Sequence, residues 1–291
     1  IAVKKGKSGP HSKKIMFAAH MDEIGFMVKK MEDDGRLLVC NVGWNWTASA
    51  YNTRVVFRNG IYGVVSSMKN IEDAHNDPNA LFIDIGAKSK EDALKYVHVG
   101  SVCGYCGEYL PLANDLVCSK TFDDRVGCFQ LIEALRENDG TYPNDIYYVL
   151  TVQEEVGCRG SKTTAAFIKP DIGIAVDVTP AHDYPCDLTG SNAIGEGIGI
   201  KVADPSVLCD EDVVAAMEQC CRHKDIPFQY EVIDKGGCDA SSMNLSNFGV
   251  RAGGISVVTR YAHCCSSVIS KEDAESGIRL CTAFSKYEFQ F

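Results

Sequence analysis

The sequence predicts an α/β fold: a mixed, largely parallel sheet flanked by helices, with a small β-rich domain inserted into it. Two observations predict this. Apolar runs of strand length, bounded by turn residues, alternate with stretches of helical periodicity. Such alternation implies strands covered on both faces. Residues 28–115 break the pattern, carrying short β-type runs separated by turn signals.

In order, the strands of the α/β part are KIMFAAH (14–20), IYYVLTVQ (146–153), IGIAVDV (172–178), IGIKVAD (198–204) and GGISVVTRY (253–261). RVGCFQLIEALREN (125–138) has apolar residues at helical spacing, and SKTTAAFIK (161–169) opens with a Ser cap. DEDVVAAMEQCCRHK (210–224) opens with an Asp cap and ends basic, as the helix dipole favours. DAESGIRLCTAFSKYEF (273–289) reads as a final amphipathic helix. In the insert, the runs GRLLVCNVG, NTRVVFRNGIYGVVSS and ALFIDIGA are separated by DDG and NG. An NG flanked by alternating apolar residues is a hairpin signal. The expected boundaries are 1–27 with 116–291 for the α/β domain and 28–115 for the insert.

The 291 residues, 45% hydrophobic and 23% charged, suffice for a sizeable core and a second unit. A net charge of −10 argues against a nucleic-acid partner. No run reaches the roughly 20 apolar residues that span a bilayer, so no membrane partner is expected. No apolar leader is visible; the opening IAVKK reads as the end of a strand with no Met before it, so residues upstream are expected. The 14 scattered cysteines fit a reduced, cytoplasmic protein. Cys103-Gly-Tyr-Cys106 has redox or zinc spacing but no second such pair and no following helix, and reads as a loop.

Chemistry gathers where apolar runs stop. KIMFAAH ends in His20, followed by Asp22 and Glu23; CSKTF ends in Asp123-Asp124; IYYVLTVQ ends in Glu154-Glu155; IGIAV ends in Asp177; GGISVVTRYA ends in His263. Singly, each is an ordinary polar group or helix cap. Jointly they place two imidazoles and three carboxylates at the carboxyl edge of a sheet, where sites of open α/β folds form. This nitrogen/oxygen set suits zinc, with cobalt or manganese as alternatives. Five ligands exceed the needs of one catalytic ion and fit two ions sharing a carboxylate. A cation would also hold the adjacent Glu154 and Glu155 ionised, one ligating while the other acts as a base.

The stretches AAHMDEIGFMV (18–28), LFIDIGAKSKEDA (81–93), KTFDDRVGC (120–128), TVQEEVGCRGSKT (151–163), VDVTPAHDYP (176–185), GEGIGIKVAD (195–204), GGCDASSMNLSNFGV (236–250) and GGISVVTRYAH (253–263) resemble, in order, the glutamyl aminopeptidase/TET family of dinuclear metallopeptidases. The resemblance implies a zinc-peptidase-like catalytic domain and a dimerisation insert. It implies that His20, Asp123 and Asp177 hold one metal and Asp123, Glu155 and His263 the other. Glu154 would be the general base. Asp22 would orient His20, and the Asp123–Asp124 peptide would be cis. Two divalent ions per chain, short peptide substrates and a homo-oligomer, dimer or tetrahedral dodecamer, follow from the same resemblance.

His263 is followed by Cys264-Cys265, where the family carries Ser-Pro. Those cysteines read either as small packed residues or as thiolates that bind metal or oxidise to block the site. His11, His75, His98, His182 and His223 are assigned no metal. The expected function is a metal-dependent aminopeptidase. The alternatives are a hydrolase of other specificity on the same scaffold (deacylase, carboxypeptidase or endoglucanase-labelled relative) and a non-catalytic assembly protein.

Overall fold

A computed structural model describes residues 1–290 apart from 8, 10, 11, 75, 76, 187 and 188, so the readings of His11 and His75 lie outside the described residues. Four strands form the centre of the main sheet: Asp145–Thr151, Lys14–His20, Ile172–Pro180 and Arg251–Arg260, all mutually parallel. Their registers pair Thr151 with His20 and Asp177 with Ser256. Antiparallel pairings extend the sheet: Ala2–Lys4 at one side, Ser267–Ser270 and Leu116–Ser119 at the other, and Ile198–Asp204 beside Arg251–Arg260. Leu116–Ser119 is reached through two antiparallel steps from Arg251–Arg260, so it runs in the same direction as the central strands. Its carboxyl end therefore lies at the same edge as theirs.

Both faces of the sheet are covered, which explains why its central strands read as continuous apolar runs. On one face Ile15, Phe17, Ile174, Val176 and Ile255 pack with Leu131, Met217, Leu280 and Phe284 from helices Phe122–Glu137, Glu211–His223 and Lys271–Ser285. On the other, Met16, Ala18, Val149 and Ala175 pack with Ala165 and Ile168 of helix Arg159–Ile168 and with Met243 of helix Asp239–Asn244. Asp210 caps its helix by accepting from the backbone of Asp212 and Val213, and Ser270 caps the last helix.

The insert forms a closed, six-stranded antiparallel barrel with its own core, including Phe26, Leu37, Val39, Val55, Ile83 and Tyr105. Its strands are Gly25–Met31, Leu37–Val42, Leu81–Asp84, Tyr62–Ser67, Arg54–Phe57 and Val102–Tyr105. Asn59-Gly60 turns Arg54–Phe57 into Tyr62–Ser67, as the hairpin signal implies. Closure leaves no unpaired edge. Cys103 sits inside a barrel strand, buried, and Cys106 follows that strand's end, so the pair is not the loop that the sequence suggests. Alternation along Val102–Tyr105 turns Cys103 and Tyr105 into the core.

Candidate metal centre

His20 is the last residue of its strand and is almost wholly buried. Asp123 lies in the non-helical first turn of Phe122–Glu137, shortly after Leu116–Ser119, and is joined to Asp124 by a cis peptide as expected. Asp177 lies within Ile172–Pro180, Glu154 and Glu155 follow Asp145–Thr151, and His263 follows Arg251–Arg260. All six meet at the carboxyl edge of the sheet. His20 Nε2 lies 3.0 Å from Asp123 Oδ1, and His263 Nε2 lies 3.2 Å from Asp123 Oδ2. Asp123 thus stands between two imidazoles, one on each oxygen. His20 Nε2 is also 3.9 Å from Asp177 Oδ1 and from Glu154 Oε2, and His263 Nε2 is 3.9 Å from Glu155 Oε2.

The outer nitrogens settle which inner atoms are offered. His20 Nδ1 lies 3.1 Å from the carbonyl of Asp22, and His263 Nδ1 lies 2.6 Å from that of Trp44. A carbonyl only accepts, so each Nδ1 carries a hydrogen, and in its neutral form each ring would present the Nε2 lone pair inward. Ligand atoms about 2.0–2.2 Å from a tetrahedral ion are about 3.3 Å from one another, and the observed separations bracket that value. Asp123, Asp124, Asp177, Glu154 and Glu155 also outnumber the two imidazoles. Donor type, spacing and charge therefore fit divalent cations.

The same crowding shifts the titrations of both imidazoles and of five carboxylates. Burial disfavours charge on His20, but Asp123 and Asp177 outweigh it and hold its pKa well above the usual value. His263 is likewise pushed up to about 10, against burial, by Asp123 and Glu155. Burial would raise Asp123 too, yet the hydrogen bonds from both imidazoles hold it well below the ordinary range. Burial pushes Glu154 up to about 7, and burial with the charge of Asp123 pushes Glu155 up to about 8. Burial raises both Asp124 and Asp177, with the charge of Asp177 adding to the first and those of Asp123 and Glu154 to the second. A bound divalent cation would reverse the upward shifts, favouring ionised carboxylates and neutral imidazoles, and would keep Asp123 ionised.

Asp22 sits apart from its expected geometry. Its carboxylate is 3.6 Å from His20 Nδ1, farther than its own carbonyl. The carboxylate instead accepts the backbone N–H groups of Glu154 at 3.2 Å and Glu155 at 3.3 Å. Glu23 organises the opposite wall, accepting from Lys120 at 2.7 Å and Thr121 at 2.8 Å. Buried Asp124 accepts from the backbone of His20 and Gly127. Gly127 leaves room for this: a Cβ there would strike the Asp124 carboxylate and the Val176 carbonyl.

Sequence reasoning missed the contribution of the barrel. Trp44 and Trp46, the chain's only tryptophans, follow strand Leu37–Val42 and wall the site. Trp44 both packs edge-on against His263 and accepts from it. Gly43, at φ +72°, lets this loop pass; a Cβ there would lie 3.1 Å from Glu155 Oε2. Two tryptophans in one short loop were the available signal. Asp239, held by Thr151 at 2.6 Å and Ser161 at 2.5 Å, and Cys158, beside Glu154, were also missed.

A cleft of about 540 Å³ opens from the centre, lined by His20, Glu154, Asp177 and Trp44 and also by Lys201, Ile233 and Lys235. Lys201 is buried between Glu231 and Asp204, the latter at 3.2 Å. Cys264 donates to the Tyr261 carbonyl at 2.8 Å, and burial pushes its thiol up to about 11. Among the described residues, neither Cys264 nor Cys265 joins a cluster of three potential ligands. His98, His182 and His223 also lie outside every such cluster.

Residues 1–280 match the M42 glutamyl aminopeptidase family. A protein of Acetivibrio thermocellus, whose name as an aminopeptidase is itself provisional, is 43% identical over 281 residues, covering 96% of this chain and 83% of its own length. An aminopeptidase of the archaeon Desulfurococcus kamchatkensis superposes with a TM-score of 0.90 at 37% identity, covering 98% of this chain and 81% of that one. The TET1 peptidase of Pyrococcus horikoshii, described as able to assemble into a tetrahedron or a large octahedral shell, superposes with a TM-score of 0.82 at 29% identity, covering 96% and 84%.

Proposed function

Because the chain belongs to the M42 glutamyl aminopeptidase family, a family of metal-dependent aminopeptidases, we propose that it removes N-terminal residues from short peptides using two divalent ions. One observation carries this reading: Asp123 offers one oxygen to each of two inward-facing imidazoles. His20, Asp123 and Asp177 would hold one ion, and Asp123, Glu155 and His263 the other. Zinc suits the donors, and cobalt or manganese is compatible with them.

When bound, the ions supply an acidified water and a Lewis acid for the peptide carbonyl. The protein's own groups do the rest. Glu154 lies near the centre through Oε2, and it takes one proton as the water oxygen bonds to the carbonyl carbon. It returns that proton to the amide nitrogen as the C–N bond breaks, so the products are a free amino acid and a peptide shortened by one residue. Asp22 fixes the backbone of Glu154 and Glu155. Trp44 fixes the tautomer of His263.

The test is Glu154→Gln. Both ions should remain, measured by metal analysis, while turnover falls by about 10²–10⁴. Full activity with intact metal removes Glu154 from this role. Chelation separates the endoglucanase reading: glycoside hydrolysis works through two carboxylates without metal, so it would survive a chelator that abolishes peptidase activity. An absence of bound metal together with an absence of turnover favours the non-catalytic alternative.

We assign the main sheet with its helices to catalysis and the barrel, whose strands run from Gly25 to Tyr105 against the expected 28–115, to dimerisation. Met27 and Val102, direct cross-strand neighbours, are exposed on the barrel's outside, as are Tyr62 and Val64 on a strand of the same barrel. Such apolar exposure fits burial against a second copy. Assembly of dimers into a tetrahedral dodecamer follows by analogy with the TET1 peptidase. Light scattering tests this, and a strictly monomeric active protein would end it. We place the protein in the cytoplasm, where its 14 scattered cysteines would stay reduced; among the described residues no helix is long and apolar enough to cross a membrane.

A further inference from the structure

We propose that Cys158 is a positioning residue for Glu154: its thiol holds one carboxylate oxygen so that the other faces the metal centre. The inference rests on the reading of Glu154 as the base. The two oxygens of Glu154 have different neighbours. Oε1 receives the Cys158 S–H at 3.0 Å, whereas Oε2 lies 3.9 Å from His20 Nε2. Rotation of a Glu carboxylate about its last torsion is broad and nearly two-fold. A 180° flip only exchanges equivalent oxygens, so what a single donor on one oxygen fixes is the plane of the carboxylate within that broad well.

The local fold brings the thiol there. Cys158 occupies the N-cap position of helix Arg159–Ile168 in a left-handed conformation, φ +50°. Ser, Thr, Asp, Asn or Gly is favoured at such a position, and Cys158 makes no capping bond. The N–H groups of Gly157 and Cys158 both donate to the Glu154 carbonyl, at 2.8 and 2.9 Å, folding the turn back over Glu154. The side chain therefore serves its neighbour and not the helix. Departures from local preference of this kind concentrate at functional positions.

Its surroundings keep it a donor. The hydroxyl of Ser241, the nearest competitor, donates to the Cys238 carbonyl at 2.9 Å and stands 4.0 Å from the Cys158 sulfur. Burial, with Glu154 and Asp239 alongside, holds the thiol protonated far above neutral pH. Glu154 is thus anchored twice: its backbone by Asp22, its carboxylate by Cys158.

The test compares the metal-loaded wild type with Cys158→Ala, Cys158→Ser, Glu154→Gln and the double variant Glu154→Gln/Cys158→Ala. Alanine should lower kcat by about tenfold, within the range that misplacing a catalytic group produces, with KM and metal content within about twofold of wild type. Serine, which keeps a donor, should recover most of the loss. In the Glu154→Gln background the alanine should cost nothing further. A second readout avoids activity altogether: the S–H infrared band, isolated by subtracting a Cys158→Ser blank in each background, should shift when Glu154 becomes the weaker acceptor Gln. Unchanged kcat in a folded Cys158→Ala, a further loss in the double variant, or an S–H band indifferent to Glu154→Gln each overturns the proposal. If Cys158→Ala does not fold, the infrared comparison decides alone. Activity retained by Glu154→Gln would instead sink the reading of Glu154 as base, so the two failures are distinguishable.

Discussion

Asp22 separates two accounts of the same carboxylate. In one it orients the His20 ring; in the other it holds the backbone that carries Glu154 and Glu155. The geometry favours the second, with amide contacts of 3.2 and 3.3 Å against 3.6 Å to Nδ1. Hydrogen bonds to a charged acceptor contribute about 1.5–3 kcal/mol each. At these long distances the lower figure applies, about 1.5 kcal/mol per bond and about 3 kcal/mol for both. Asp22→Ala removes both; Asp22→Asn keeps one acceptor oxygen and loses one. For 291 residues the unfolding entropy is about 0.6 kcal/mol/K. The melting temperature should then fall by about 2–3 °C for Asn and about 5 °C for Ala. Hydrogen exchange of the 151–158 peptide in chelated protein should quicken in the same order. Equal effects of Asn and Ala, or unchanged exchange with lost metal affinity, would refute the backbone-holding account and restore the ring-orienting one.

Further outcomes follow from the same structure. Glu231→Gln leaves the buried Lys201 with Asp204 alone; breaking a buried pair costs about 3–5 kcal/mol, and the surviving partner places this one near 3, about 5 °C in melting temperature. Gly43→Ala forces the Trp44 loop against Glu155, so metal affinity should fall while far-UV dichroism stays unchanged. The hydrogen bonds from Arg260 depress the pKa of Asp183, so its contribution is present above the unfolded carboxylate value of about 3.9 and is lost as pH falls through the folded value. Asp183→Asn should therefore melt lower than wild type at pH 7, with the gap closing below about pH 4.

Much of the main sheet was legible because its strands are buried on both faces. IGIKVAD occupies the strand Ile198–Asp204, and KIMFAAH the strand Lys14–His20. The helices at 125–138 and 210–224 lie within a few residues of Phe122–Glu137 and Glu211–His223. The strands Phe228–Val232 and Ser267–Ser270 and the helix Asp239–Asn244 carried too few residues for a period to show. Ligand candidates were visible because each follows an apolar run. What supports them was not. The Asp22 carboxylate reaches backbone amides 132 and 133 residues away, and the Trp44 carbonyl reaches His263 across 219 residues. Backbone donors and acceptors carry no side-chain signature. Cys158 was one of 14 cysteines, and only the turn around Glu154 singles it out.

The central claim is that Asp123 joins two cations, one on each oxygen. Anomalous diffraction from zinc-loaded crystals measures this directly. Two peaks about 3.5–4 Å apart are expected, each about 2.0–2.2 Å from a different Asp123 oxygen, one beside His20 and the other beside His263. A single peak in fully loaded, active protein, or ions that Asp123 does not touch, would contradict it.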